Sequence, residues 1–95
     1  MAQICIHMLI SGRVQGVWFR RFAQQHAESN GVNGWVRNLT DGRLEAMLCG
    51  EERAVRHVEV WLNKGPDLAR IATVESHILP YTVYEGFELL EDEPA

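Results

Sequence analysis

Residues 11–21, SGRVQGVWFRR, are the part of this chain best suited to bind an anion. Gly12 and Gly16 allow turns in which successive backbone N–H groups converge, and a following helix would add the positive end of its dipole. Arg20 lies at the start of that helix, and its planar guanidinium can bind two oxygens of one phosphate. Spacing alone leaves an equal alternative, in which the glycines only form a strand-to-helix turn and the arginines are solvated.

Two separated motifs of this chain resemble the two signatures of the acylphosphatase family. In the first, GRVQGVWFR, the matching residues are Gly12, Val14, Gln15, Gly16, Val17, Phe19 and Arg20. In the second, GWVRNLTDGRLEAMLCG, they are Gly34, Trp35, Asn38, Gly42 and Gly50. The motifs have the family's order and spacing, and the resemblance covers about residues 4–90. Leu44, where the family usually has Val, and the acidic tail after Leu90 depart from the family pattern.

The resemblance implies hydrolysis of the carboxyl–phosphate bond of acyl phosphates to a carboxylate and inorganic phosphate, without a metal or another cofactor. By position, Arg20 is then the phosphate-binding arginine and Asn38 positions the attacking water. The implied phosphate cradle comprises backbone N–H groups and one side chain: Val14, Gln15, Gly16, Val17, Trp18, Phe19 and Arg20. Phosphoryl transfer depends mainly on positioning and charge stabilisation, and a carboxylate leaves without being protonated, so no general acid is required. Asp41, in LTDG, suits a turn better than catalysis.

The hydrophobic pattern predicts the elements that must position these residues. Apolar alternation and helical spacing give the order strand, helix, strand, strand, helix, strand. The predicted strands cover residues 4–10, 33–38, 43–49 and 71–79, with a final edge strand at 87–90, and the predicted helices run from Phe19 to a stop at Asn30 and over 51–64. This order indicates an α+β fold, a ferredoxin-like split βαβ sandwich (βαββαβ) with an antiparallel sheet and both helices on one face.

Length and composition favour one small domain. The 95 residues are expected to form a single domain over 1–95, with an acidic tail from about residue 91 that serves as a frayed, solubilising terminus. A net charge of −4 argues against wholesale binding of nucleic acid. No apolar run is long enough to span a membrane and no leader precedes the first strand, so we expect a monomeric cytoplasmic protein that acts on a small molecule, binding no nucleic acid and no membrane.

Cys5 and Cys49 are predicted to meet on the helix-free face of the sheet. Cys5 begins the first strand and Cys49 ends the third, so antiparallel pairing places them opposite one another. The geometry then permits a disulfide, which needs Cα atoms within about 7 Å. A reducing cytoplasm favours two free thiols instead, and the sequence leaves both alternatives open.

The histidines and tryptophans of the chain give weaker indications of function. The four histidines have no metal-like spacing, and we predict no metal site from them: His7, His26, His57 and His77. Trp35 and Trp61 occupy core-like positions in the pattern, whereas Trp18 is expected to border the substrate site because it lies inside the cradle motif.

Three alternative functions are compatible with parts of this pattern. A non-catalytic anion-binding module on the same fold would keep the cradle and Arg20 but would have no reason to keep Asn38. An RNA-binding sheet would need a run of aromatic and basic residues that this chain lacks. A detached carbamoyl-phosphate-handling domain is the third, since larger maturation proteins resemble the family in one segment. The sequence does not name the acyl phosphate.

Overall fold

The computed structural model describes residues 2–94, which form a five-stranded sheet with two helices packed against one face. The elements are β1 (Gln3–Arg13), α1 (Phe19–Ser29), β2 (Asn33–Asn38), β3 (Leu44–Glu51), α2 (Glu52–Lys64), β4 (Arg70–Leu79) and β5 (Phe87–Leu89). The strand order across the sheet is β4-β1-β3-β2-β5. The predicted ferredoxin-like α+β fold is confirmed, and β5 is the predicted final edge strand.

The direction of β5 corrects the expectation of a wholly antiparallel sheet. Strands β1 to β4 pair antiparallel, but β5 pairs with β2 in parallel, so the sheet is mixed. The reason is topological. β4 runs opposite to β1 and β2, so it ends where β2 begins, and residues 80–86 carry the chain across that end of the sheet. A strand that starts there runs in the direction of β2.

The core lies between the helices and one face of the sheet, and it fixes the start of α1. Ile6, Met8 and Ile10 of β1 are fully buried on this face, as their alternation predicts. Phe19, the first residue of α1, is only 1% exposed. Burial of one large apolar side chain is worth about 1.5–3 kcal/mol. Phe19 therefore anchors the first helical turn, and with it the neighbouring Arg20.

Trp35 and Trp61 are half-buried rather than part of the core, which corrects the prediction made for them. Trp35 lies on the helix-free face, where the guanidinium carbon of Arg37 is 5.7 Å from its ring centroid. Trp61 stacks on His26 with ring centroids 4.5 Å apart, and its Nε1 donates to His57 Nε2 at 3.3 Å. An indole suits such boundary positions because it combines a large apolar ring with one polar N–H.

Cys5 and Cys49 are directly opposite each other in the β1–β3 register and are joined by a disulfide. Their Cα atoms are 4.1 Å apart, within the reach that the sequence argument required. Both are buried although they lie on the helix-free face, because the segment after β4 crosses them. There the backbone N–H of Thr82 donates to Cys5 Sγ at 3.3 Å.

The acidic tail is fixed to the sheet, contrary to the expectation of a frayed terminus. The N–H of Leu90 donates to the carbonyl of Val36 at 2.9 Å, and the N–H of Glu93 donates to the carbonyl of Asn38 at the same distance. The tail thus continues alongside β2. It reaches the end of the sheet where β1 leads into α1.

Candidate active site

The loop of residues 14–18, between β1 and α1, has backbone N–H groups without partners. Gly16 has a φ of 70° and Trp18 a φ of 64°, so the chain curls twice within residues 16–18. Trp18 is the one non-glycine residue with positive φ in the described part of the chain. No backbone carbonyl of residues 2–94 accepts from the N–H groups of residues 15–18. A curled segment with free N–H groups is an anion-binding nest.

The first turn of α1 adds to this positive site. Trp18 is the N-cap residue and makes no capping hydrogen bond through its side chain, and the first turn contains no acidic residue. The N–H groups at the start of a helix have no intrahelical partner, and the helix dipole concentrates partial positive charge there. The loop and the helix start therefore both favour an anion.

Gln15 holds this loop against the turn between β2 and β3. Its Nε2 donates to the carbonyl of Leu39 at 2.8 Å and to the carbonyl of Arg43 at 2.9 Å. The side chain of Gln15 therefore connects the loop to the β2–β3 turn and does not point into the cradle. Only its backbone N–H is available to the cradle predicted from the sequence.

Arg20 and Asn38, the two residues predicted to be catalytic, meet at a single carboxylate oxygen. Arg20 Nη1 donates to Asp92 Oδ1 at 3.3 Å, and Asn38 Nδ2 donates to the same oxygen at 3.1 Å. Arg20 comes from the first turn of α1 and Asn38 from the last residue of β2. Two donors distant in sequence thus converge on one negatively charged oxygen.

The hydrogen bond to Asp92 also fixes the orientation of the Asn38 amide. A carboxylate only accepts, so the amide nitrogen must face it and the amide oxygen must face away. Asn38 is only 8% exposed, and its Oδ1 accepts no hydrogen bond within the described residues. Buried polar atoms are nearly always hydrogen-bonded in proteins. The free oxygen is therefore suited to accept a hydrogen bond from a water or ligand in the site.

These groups surround an open cavity of about 330 Å³. Its lining combines cradle residues, the two predicted catalytic residues, a second arginine of α1 and one residue of β5: Val14, Gly16, Trp18, Phe19, Arg20, Arg21, Asn38 and Leu89. Val14 and Phe19 are buried behind it, whereas the indole of Trp18 is 75% exposed at its mouth. The structure therefore places Trp18 where the sequence predicted it, at the border of the site.

The turn LTDG, next to the site, satisfies its own polar groups. The N–H of Arg43 donates to Asp41 Oδ1 at 3.0 Å, and Arg43 Nε donates to Asp41 Oδ2 at 2.8 Å. The backbone hydrogen bond from Arg43, with the guanidinium beside it, lowers the pKa of the Asp41 carboxyl. Asp41 is thus engaged in turn formation, as predicted.

Glu93 anchors the tail beside the cavity. Its Oε1 accepts from both the backbone N–H and the hydroxyl of Thr40, each at 3.0 Å. These hydrogen bonds, the backbone one first, lower the pKa of the Glu93 carboxyl. The tail is therefore held both at Leu90 and at Glu93, with Asp92 between the two anchors.

Two contributors to the site were missed by sequence reasoning. Asp92 was treated only as part of an acidic tail, and Leu89 only as part of the final strand. The register of β5 against β2 brings Leu89 to the cavity and directs the tail so that Asp92 meets Arg20 and Asn38; a strand of three residues is too short for the sequence pattern to fix that register. The only feature of the sequence that points to a contact with the arginines is the negative charge of the tail, whose acidic residues follow β5 directly.

Within residues 2–94 no three His, Cys, Asp or Glu side chains are grouped closely enough to hold a metal ion. No helix in that range is long and apolar enough to cross a membrane. Fold and site together define a small α+β protein with a cavity at the junction of β1 and α1 whose free N–H groups and arginine are suited to bind an oxyanion.

Comparisons with known proteins agree with this class. The model of the Acylphosphatase family matches residues 6–89. An acylphosphatase of Pseudomonas paraeruginosa is 49% identical over 87 residues, which cover 92% of this chain and 96% of the relative. The solved acylphosphatase structure from Coxiella burnetii has a TM-score of 0.87 at 35% identity and 93% coverage of both chains. That from Bacillus subtilis has a TM-score of 0.88 at 27% identity, covering 92% of this chain and 98% of its own.

This chain belongs to the acylphosphatase family. The family and the enzyme class predicted from the two motifs are thereby confirmed.

Proposed function

We propose that this protein hydrolyses acyl phosphates to a carboxylate and inorganic phosphate, with Arg20 and the loop of residues 14–18 binding the phosphoryl group and Asn38 positioning the water. The observation that carries the proposal is the convergence of Arg20 Nη1 and Asn38 Nδ2 on one carboxylate oxygen beside a loop of free N–H groups. An oxygen of a phosphoryl group is an acceptor of the same kind. The site is thus arranged to hold an oxyanion.

Phosphate binding follows from charge and geometry. The free N–H groups of residues 15–18 and the first turn of α1 surround the non-bridging oxygens, and the Arg20 guanidinium adds a full positive charge. In a loose transition state the negative charge spreads over those same oxygens. Donors that are already in place then stabilise the transition state without reorganising.

The chemical step needs one oriented water molecule. Its hydrogen is accepted by Asn38 Oδ1, the buried oxygen that faces away from Asp92. The water oxygen attacks phosphorus as the bond from phosphorus to the carboxyl oxygen breaks, and the electron pair of that bond leaves with the carboxylate. The proton of the water passes to a phosphate oxygen, so no protein side chain has to act as general base.

The acyl group of the substrate lies at the open side of the cavity. The exposed apolar surface there comes chiefly from Trp18, with Leu89 beside it. This arrangement leaves room for acyl groups of different sizes. We further propose that the protein acts as a monomer, since one chain supplies every residue of the proposed site. Size-exclusion chromatography with light scattering would test the monomer.

The direct test of the function is hydrolysis of a synthetic aryl acyl phosphate by protein treated with a chelator. We expect release of carboxylate and phosphate well above the spontaneous rate, with chelator present throughout. The double variant R20A/N38A, shown to be folded by circular dichroism, is the matched control and should fall close to background. No release above background by the folded wild-type protein would contradict the proposal.

A further inference from the structure

We propose that Asp92 is an intramolecular competitor that sets the affinity of the site for phosphate. This inference rests on the proposed function for the nature of the ligand, a phosphoryl group. It adds a residue outside both motifs, because the match to the family model ends at residue 89. The tail of this chain thereby becomes part of its active site.

Asp92 occupies a donor of Arg20, the side chain that the proposed function assigns to phosphate binding. Its Oδ1 accepts from Arg20 Nη1 at 3.3 Å and from Asn38 Nδ2 at 3.1 Å. A hydrogen that is donated to this carboxylate is not available to a phosphate oxygen. Binding of phosphate through Arg20 Nη1 therefore competes with the carboxylate for that donor group.

The tail keeps the carboxylate of Asp92 near the site. Leu90 is hydrogen-bonded to Val36, and Glu93 is bonded to Asn38 and Thr40. These anchors flank Asp92 on both sides and do not involve its side chain. A rotation of that side chain thus releases Arg20 without detaching the tail, and the carboxylate remains at high local concentration.

The contact between Asp92 and Arg20 is weak enough for phosphate to displace it. The side chain of Asp92 is 65% exposed and that of Arg20 is 39% exposed. Ion pairs with this much exposure are screened by water and contribute little. A phosphate bound by several N–H groups as well as Arg20 outcompetes a single carboxylate. Asp92 thus lowers the affinity for phosphate without closing the site.

The geometry also argues against a role for Asp92 as the base that activates the water. Asp92 faces the nitrogen of the Asn38 amide, whereas the water is accepted by the oxygen of that amide. The carboxylate is therefore on the opposite side of the amide from the proposed water. Its replacement should change binding and leave the chemical step intact.

The test measures the dissociation constant of inorganic phosphate by titration calorimetry for wild type, D92N, D92A and E91Q. Both Asp92 variants should bind phosphate about two- to five-fold more tightly, the range that an exposed ion pair supports. E91Q removes the same charge from the neighbouring exposed residue, for which the structure shows no contact with the site, and should stay within about 1.5-fold of wild type. With an acyl phosphate, KM should fall by the same factor in D92N and D92A, with kcat unchanged.

An unchanged or weaker phosphate affinity in D92N and D92A, with the thermal midpoint preserved, would overturn the inference. An equal gain in E91Q would overturn it too, because general charge rather than the contact would then be responsible. A large fall in kcat at constant affinity would make Asp92 a positioning residue instead. Since calorimetry needs no turnover, a protein that bound phosphate as expected but hydrolysed nothing would contradict only the proposed function.

Discussion

Two neighbouring glycine turns of this protein differ in whether their backbone N–H groups are hydrogen-bonded, and this difference shows which kind of turn can bind an anion. The loop of residues 14–18 and the turn of residues 39–43 each contain a glycine with positive φ, 70° at Gly16 and 94° at Gly42. Each also has an arginine close by. In the turn, Asp41 accepts from the N–H of Arg43 and from its guanidinium. In the loop, no backbone carbonyl of residues 2–94 accepts from residues 15–18.

The cause of this difference lies in the side chains available to each segment. LTDG supplies a short carboxylate that can reach back to the local N–H groups, which is the usual role of Asp in turns. VQGVW has no short acceptor, and its one polar side chain, Gln15, donates outward to the turn. A glycine turn is therefore free to bind an external anion when no local acceptor satisfies its N–H groups.

The largest expected effect comes from comparing the arginines of the two segments. R20K should lower kcat/KM for an acyl phosphate on the order of 100- to 1000-fold, because a point charge does not reproduce the fork of the guanidinium. R43K makes the same change in the turn, where the arginine pairs with Asp41. Its steady-state activity should stay within about two-fold of wild type, as expected for a surface pair. Near-normal hydrolysis by R20K would contradict the role given to Arg20.

Substitution of Asn38 distinguishes phosphate binding from the chemical step. N38A should lower kcat about 100-fold, since a misplaced nucleophile costs a factor of this order. The inhibition constant for phosphate should change far less, because Arg20 and the N–H groups of the loop remain. Steady-state kinetics with inorganic phosphate as competitive inhibitor measures both values. If phosphate no longer inhibited the folded variant, Asn38 would belong to the cradle rather than to the water.

Gln15 connects the two segments, so its removal tests whether the loop depends on the turn. Q15A removes one of the two donors to each of the carbonyls of Leu39 and Arg43, which keep their backbone donors, and should cost about 2 kcal/mol of unfolding free energy, from two lost hydrogen bonds. Activity should fall as well, because the loop loses its support. The exposed Q25A on α1 is the matched control for urea unfolding. Equal stability of the two variants would show that the loop holds its shape alone.

The smallest effect is expected in the turn itself. The pKa of the Asp41 carboxyl is lowered in the folded protein, so its contribution to stability is present above its unfolded pKa and is lost as pH falls through its folded pKa. D41N should therefore lower the thermal midpoint slightly at pH 7, and the difference should vanish in acid. Activity should be unchanged. A difference that persisted in acid would show that Asp41 acts through something other than its charge.

Much of this fold follows from pattern alone. Alternation in β1 and helical spacing from Phe19 place the elements correctly, because one buried face requires that periodicity. The register of β1 against β3 also follows, which is why Cys5 and Cys49 meet. By contrast, the hydrophobic pattern does not distinguish Trp35 and Trp61 from core residues, although both lie at the edge of the core. Their partial burial depends on which residues surround them in space.

The site is only partly readable from the sequence. Arg20 and Asn38 are identified by their motifs, yet nothing local to Asp92 reveals that it meets them. That contact depends on the pairing of β5 with β2, which are far apart in sequence. Three strand residues and the hydrogen bonds of Leu90 and Glu93 hold this pairing. Likewise, sequence spacing could not decide whether the glycine loop is a nest or a plain turn. The free N–H groups of residues 15–18 in the structure support the nest.

The central claim is that the loop binds the phosphoryl group and that water attacks phosphorus. Hydrolysis of an acyl phosphate in water enriched in oxygen-18, followed by mass spectrometry of both products, tests it most directly. The account predicts that the enzymatic turnover places the heavy oxygen in inorganic phosphate, with none above the spontaneous background in the carboxylate. Label in the carboxylate would contradict it, because the water would then have attacked the acyl carbon.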